Sequence, residues 1–247
     1  MPVAEFAKLV FMCGRYRLTA KERYLAEHFE ISDDEVRWTA RYNIAPTQQV
    51  AIVRRQSATA KVSFALVRWG LIPAWAKDSS IANHTINAMS ETAAEKPAFR
   101  DALQHRRCLV PADGFYEWKK FARGQKQPYS FSMADDGLFA FAGLWDRWRS
   151  PSGEEIESCT ILTTTANLLL RGVHQRMPVI LPKHEYAAWL DPARMNPRGL
   201  VHLLRPFDPT LMKAVPVRST VNNVRNDSPE CIQAAPAPPA STPGLFD

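Results

Sequence analysis

Four side chains scattered through this 247-residue sequence have the types needed for carbonyl and proton chemistry: Cys13, Asn87, Glu117 and His174. Cys13 directly follows Met12, and an initiating methionine is usually trimmed when the next side chain is small. Trimming at Met12 would leave a residue with both an α-amine, of pKa near 8, and a thiol, of pKa about 8.5. Such a 1,2-aminothiol condenses with an aldehyde to an imine, and the adjacent sulfur then closes a thiazolidine ring. Gly14 beside it lets backbone or a ligand approach closely. The competing reading is a structural cysteine packed in the core, since cysteines are among the most buried residue types.

The other three suit proton handling and positioning. Glu117 stands between Tyr116 and Trp118, and a carboxylate desolvated by aromatic neighbours has a raised pKa, so that it can donate and accept protons near neutrality. His174 titrates in the same range and could shuttle a proton to or from a sugar oxygen. Asn87 is uncharged and bifunctional, suited to orienting an amine or a substrate. Each also has a bland reading: an arginine-paired glutamate, a satisfied histidine, an asparagine closing a turn. Spacing alone leaves open whether the four converge.

The elements that must position them are mainly strands. Strands are expected over 50–53, 62–69, 108–111, 115–119, 129–133, 138–144, 159–164 and 179–181, from their β-branched and aromatic content. A turn at Asp113-Gly114 separates two of them. The capping-box spacing of Thr19 and Glu22 starts a helix through Tyr24, Leu25, His28 and Phe29. Further helices are expected from Pro97 to about His105, briefly near Thr165, and over 184–190. Residues 41–46 read as an irregular segment ended by Pro46, and 71–84 as a long aromatic-containing loop. The pattern is that of a curved antiparallel sheet system rather than alternating β-α-β units: an α+β fold in one domain over 13–233. Residues 1–12 read as an extension, a misassigned start or a propeptide, and the Ala/Pro-rich 234–247 as a disordered tail.

Composition narrows the partners. Thirty-one Lys plus Arg against 25 Asp plus Glu gives a net charge of +6, which favours an anionic partner. Arginines beside aromatics, as in Trp145-Asp146-Arg147-Trp148-Arg149, favour nucleic acid over a membrane surface. Cys13, Cys108, Cys159 and Cys231 have no Cys-x-x-Cys or Cys/His spacing suited to zinc, so neither metal nor cofactor is expected. Free thiols and the absence of a convincing secretion signal point to a reducing, cytoplasmic compartment.

Five separated runs carry a resemblance: 12–16 (MCGRY), 41–46 (RYNIAP), 86–88 (INA), 111–118 (PADGFYEW) and 174–181 (HQRMPVIL). Together, in order and from Cys13 to about Asn226, they resemble the SOS response-associated peptidase (SRAP) family of abasic-site shields. The resemblance implies a single mixed α/β domain with a positive cleft for single-stranded DNA and a monomeric state. It implies that Cys13, as the N-terminal residue, captures the open-chain aldehyde of an abasic site as a thiazolidine. It gives Asn87 a positioning role, and Glu117 and His174 proton-handling roles in ring opening and in crosslink formation or reversal. A β-elimination (lyase) side activity is a further implication. Arg15, Arg41, Asn43, Trp75, Arg147 and Arg225 are the expected DNA contacts. One departure is Met89, two residues after Asn87, where the family usually has an arginine; the segment before Met12 is another.

Two other classes stay open. A cysteine hydrolase would use Cys13 with His174 as base, its natural reaction being removal of the residues before Cys13. A non-catalytic single-strand binder would need only the basic cleft and aromatic stacking.

Overall fold

The β-branched and aromatic runs build two sheets; the computed structural model describes residues 13–193 and 197–236. Among these the strands are β1 (Tyr16–Leu18), β2 (Arg41–Ile44), β3 (Gln49–Arg55), β4 (Val62–Trp69), β5 (Asn87–Met89), β6 (Arg107–Ala112), β7 (Gly114–Lys120), β8 (Lys126–Met133), β9 (Phe139–Arg149), β10 (Glu155–Thr165), β11 (Arg176–Pro178), β12 (Ile180–Leu181) and β13 (Met212–Pro216). The α-helices are short: α1 (Glu22–Phe29), α2 (Arg100–His105) and α3 (Tyr186–Leu190). None is long and apolar enough to cross a membrane.

β10, β4, β3, β6 and β9 pair in that order, and β9 pairs again with β10, closing a five-stranded barrel. Closure removes the barrel's edges, and with them the unpaired backbone groups of an open sheet. β4 and β5 both run parallel to β10. The second sheet, ordered β13-β8-β7-β1-β2, is antiparallel throughout. Aromatic rings join the two. Tyr16 of β1 meets Trp69 of β4 and Phe141 of β9 edge-on, at 5.3 and 5.8 Å between centroids. Phe115 of β7 stacks on Phe131 of β8 at 5.3 Å and meets Phe141 edge-on at 5.9 Å. All five are fully buried, each worth roughly 1.5–3 kcal/mol in area removed from water.

Several local expectations are corrected. Residues 41–46 are not irregular: Arg41–Ile44 form β2, held against β1 with Tyr16 opposite Ile44. Asp113-Gly114 is not a hairpin turn, because β6 and β7 lie in different sheets. Instead Asp113 pairs with Arg17 (2.9 Å) and accepts from the Thr19 backbone N–H (2.5 Å) and hydroxyl (2.8 Å). A Cβ at Gly114 would meet the Arg17 guanidinium, which would have to shift from its place beside Asp113. Thr19 is thereby diverted from capping, and α1 begins at Glu22 with no side-chain cap. Glu22 accepts from the Trp38 backbone N–H instead. α2 begins at Arg100 rather than Pro97, whose carbonyl accepts from Trp75. No helix starts at Thr165; β10 continues through it, and turns follow. Residues 1–12 and 237–247 lie outside the described residues. Ala234 bridges to Val217 and the Ala235 N–H donates to Pro216, so pairing continues past Gln233.

Candidate functional site

β7 is the element that assembles the site. It pairs antiparallel with β1, with Tyr16 opposite Phe115 and Arg17 opposite Gly114. That register carries the residues just before β1 alongside Glu117. The backbone nitrogen of Cys13 accordingly donates to Glu117 Oε1 at 2.7 Å. Cys13 is 1% exposed and Glu117 5%. Burial pushes the Glu117 carboxyl up to about 7, against the Cys13 and Trp118 backbone N–H groups that favour its ionised form. Burial, and then the facing Glu117, push the Cys13 thiol well above its ordinary value. Cys13 also has φ = 40°, a left-handed conformation that is costly for a residue with a Cβ.

β10 holds the other two candidates. Asn87 opens β5 and is half-buried opposite Ile161. His174 sits in the turn between β10 and β11, where Arg176 lies opposite Thr165. Its Nδ1 accepts from the Arg176 backbone N–H at 3.1 Å. Burial is the main influence lowering its pKa, opposed by the hydrogen bond between Nδ1 and the Arg176 carbonyl and aided by the charges of Lys120 and Arg176. Lys120 lies three residues beyond Glu117 on β7, which brings the His174 turn within electrostatic reach of the strand carrying the carboxylate. Cys13 and Glu117 are in direct contact, while Asn87 lies on a strand paired with β10 and His174 just before another.

Residues 12–224 match the family described as SOS response associated peptidase (SRAP). The chain belongs to this family. It is 41% identical to "Abasic site processing protein YoqW" of Bacillus subtilis over 225 residues, 90% of this chain and 100% of that protein. Against "Abasic site processing protein HMCES" of Rattus norvegicus it is 35% identical over 199 residues, 68% of this chain and 56% of that protein. Among solved structures, a protein from Bacteroides thetaiotaomicron matches with a TM-score of 0.77 at 29% identity, covering 90% of this chain and 100% of that one. One from Bordetella bronchiseptica matches at 0.71 and 31%, covering 83% and 100%.

The polar residues expected on SRAP grounds to touch DNA divide into two groups. Asn43 is fully buried and acts as a buckle: its Nδ2 donates to the carbonyls of Val221 (3.2 Å), Asn223 (3.0 Å) and Asn226 (2.6 Å), and its Oδ1 accepts from Arg15 (2.8 Å). Arg15 also donates to Val221 O (2.7 Å) and lies over the Trp118 ring at 5.6 Å. Arg41 is ion-paired with Asp227 and donates to Gln48 at 2.8 Å. These three fasten the 221–227 segment to β1 and β2. By contrast Trp75 is 61% exposed, and Arg225 is exposed on the fastened segment. Arg147 projects from β9 but is engaged with Glu157 at 2.9 Å, part of a ladder in which Arg54 holds the other carboxylate oxygen at 2.8 Å. Met89, the departure from the SRAP pattern, is 43% exposed.

Two residues near the candidates carry no signal in the sequence, Lys120, whose charge acts on His174, and Glu91. Glu91 makes a bidentate pair with Arg176 at 2.5 and 2.7 Å. No period or motif marks a contact made across 85 residues. A cavity of about 630 Å³ is lined by His28, Phe29, Arg55, Lys61, Lys183 and Tyr186 among others and includes none of the four candidate residues.

Proposed function

We propose that this chain processes abasic sites by capturing the ring-opened sugar aldehyde, in single-stranded DNA, as a thiazolidine on an N-terminal Cys13. The reading is supported by one observation above all: the nitrogen that would become the α-amine lies 2.7 Å from a carboxylate whose pKa is about 7. An α-ammonium must lose a proton before it attacks, and a base of pKa near neutrality beside it is matched to that task. The amine nitrogen bonds to the aldehyde carbon, and the carbinol oxygen leaves as water after protonation, giving the imine. The thiol sulfur then bonds to the imine carbon, its proton passing to the nitrogen. The balance is one amine, one thiol and one aldehyde giving one thiazolidine and one water. Asn87 orients the reacting groups, and His174 hydrogen-bonds the sugar oxygen.

A hydrolase needs a thiolate stabilised by a neighbouring cation. Here the thiol is pushed up rather than down and its charged neighbour is a carboxylate, which favours carbonyl capture over peptide cleavage. Lyase activity belongs to the same reading, because an imine acidifies the adjacent sugar carbon; closure to thiazolidine suppresses it. To test the proposal, protein beginning at Cys13 is incubated with abasic and intact single-stranded oligonucleotides and resolved under denaturing conditions. An adduct with the abasic strand alone, of mass equal to the sum less one water, is expected. Reversible salt-sensitive binding without an adduct would leave only a single-strand binder.

A further inference from the structure

Away from the four candidate residues, the end of α1, α3 and the β3–β4 hairpin enclose the cavity of about 630 Å³. Its walls are fixed by contacts outside it. α3 is pinned to β6, because Trp189 Nε1 donates to the Cys108 carbonyl at 2.9 Å and Arg107 Nε donates to the Trp189 carbonyl at 2.7 Å. α1 is held to α3 by Phe29, whose ring stacks on Tyr186 at 5.6 Å between centroids and 14° between planes. Val53 and Leu109, paired across β3 and β6, are buried and with Leu190 give the cavity an apolar lining. A preformed hollow of this size with an apolar lining is of the kind that takes small organic ligands.

Charge gathers on the same lining. Arg55 ends β3 opposite Val62, Lys61 is the chain neighbour of Val62, and Lys183 lies two residues past β12. None of these three cations is ion-paired among the described residues, and the Arg55 Nε is buried without a hydrogen-bond partner. Lys183 acts on His28 of α1: burial first, and then the Lys183 charge, lower the His28 pKa to about 4. Glu30 and Glu35 line the cavity as well, and neither is ion-paired among the described residues. Counting the histidines as neutral, three cations against two carboxylates leave one positive charge uncompensated. Unpaired charges around a poorly solvated hollow are costly until a counter-charge enters it.

The geometry points to a second ligand site: this cavity takes a small amphiphilic monoanion, a carboxylate on an apolar body. The body lies against Val53, Leu109 and Leu190, and the carboxylate meets Arg55 and Lys183. A guanidinium presents paired N–H donors that match the two carboxylate oxygens. One negative charge balances the lining, whereas a dianion would leave its excess charge in the same cavity as Glu30 and Glu35. The site is separate from the candidate residues, since Cys13, Asn87, Glu117 and His174 are all absent from its lining. Its occupancy does not depend on the carbonyl-capture reading.

Titration of full-length protein with octanoate, followed by NMR, tests this, with acetate as the head group alone and octylammonium as the same body with the opposite charge. Octanoate is expected to bind with about millimolar affinity or tighter, the range open to a ligand of its size. Acetate and octylammonium should bind at least about tenfold more weakly. The ring signals of His28, identified with His28→Gln, should move as octanoate is added. Arg55→Gln and Lys183→Gln, judged folded by circular dichroism, should each weaken octanoate about tenfold. An intact single-stranded oligonucleotide in excess should leave the octanoate affinity unchanged. Absence of octanoate binding, equal binding of octylammonium, unmoved His28 signals, unaltered affinity in both variants, or displacement by the oligonucleotide would each overturn the proposal. Adduct formation plays no part in these readouts, so failure of the one reading leaves the other standing.

Discussion

The nitrogen of Cys13 and Oε1 of Glu117 are 2.7 Å apart across 104 residues of sequence, a buried contact whose N–H favours the ionised carboxylate while desolvation opposes it. Glu117 is a carboxyl raised to about 7 by desolvation. Adduct formation should therefore rise with pH along a limb with an apparent pKa near 7, as the carboxylate becomes available to take the ammonium proton. Glu117→Gln should remove that inflection and lower the rate on the order of 10²–10⁴-fold. Pre-steady-state adduct yields between pH 5.5 and 8.5 check this. An unchanged limb in Glu117→Gln would assign the titration elsewhere.

The same shift has a cost in stability, with a definite sign. A group whose folded pKa lies above its unfolded value of 4.5 contributes stability that is fully present below pH 4.5 and lost as pH rises through 7. Ionising the buried Glu117 thus opposes folding by an amount on the order of 3 kcal/mol at most. Glu117→Gln should melt several degrees above wild type at pH 8 and near it at pH 4.5, where both side chains are neutral. Thermal melts at the two values decide it, and equal melting points at pH 8 would count against a desolvated carboxyl.

Cys13→Ala should abolish the denaturation-resistant adduct and leave affinity for an intact single strand almost unaltered, because on the proposed reading phosphate contacts fall to other side chains. Cys13→Ser keeps the amine but not the sulfur, so its imine should form and hydrolyse, becoming permanent only after borohydride reduction. A stable adduct from Cys13→Ala would remove Cys13 from the chemistry.

How far the sequence foretold this site depended on how local the deciding contact was. Strands with β-branched and aromatic runs formed as expected; Cys13 lies just before β1, Asn87 on β5, Glu117 on β7 and His174 just before β11. The misreadings share a cause, a long-range partner overriding a local signal. Thr19 gave up a helix cap for Asp113, and Asp113-Gly114 gave up a turn for Arg17. Asn43, expected among the DNA contacts, is held in the structure by four internal partners, at Arg15 and in the 221–226 segment.

That distinction predicts two different outcomes for residues with similar initial standing. Asn43→Ala should destabilise the protein by about 2–4 kcal/mol, since it strands buried carbonyls and the Arg15 guanidinium; chemical denaturation measures it. Arg225→Ala should leave stability unchanged and reduce the slope of log affinity against log salt by about one phosphate equivalent. Met89→Arg, at an exposed position on β5, should tighten single-strand binding modestly. Loss of affinity in Asn43→Ala at full stability would return that residue to the interface.

The last prediction concerns the residues before Cys13. In a chain that begins at Met1, the nitrogen facing Glu117 is an amide with no nucleophilic lone pair, and it cannot form an imine. The φ angle of 40° at Cys13 is a torsion about the bond to that nitrogen, defined by the carbonyl carbon of the preceding residue. Removing that residue abolishes the torsion together with its strain, of order 1–3 kcal/mol, and delivers an amine already beside its base. Protein starting at Cys13 is therefore expected to crosslink abasic single-stranded DNA, and a form held uncleaved from Met1 is expected to bind the same DNA without crosslinking. Intact mass of protein expressed from the native gene, read before and after incubation with the abasic strand, identifies which form reacts. Equal crosslinking rates for the two forms would mean that the α-amine is not the reagent.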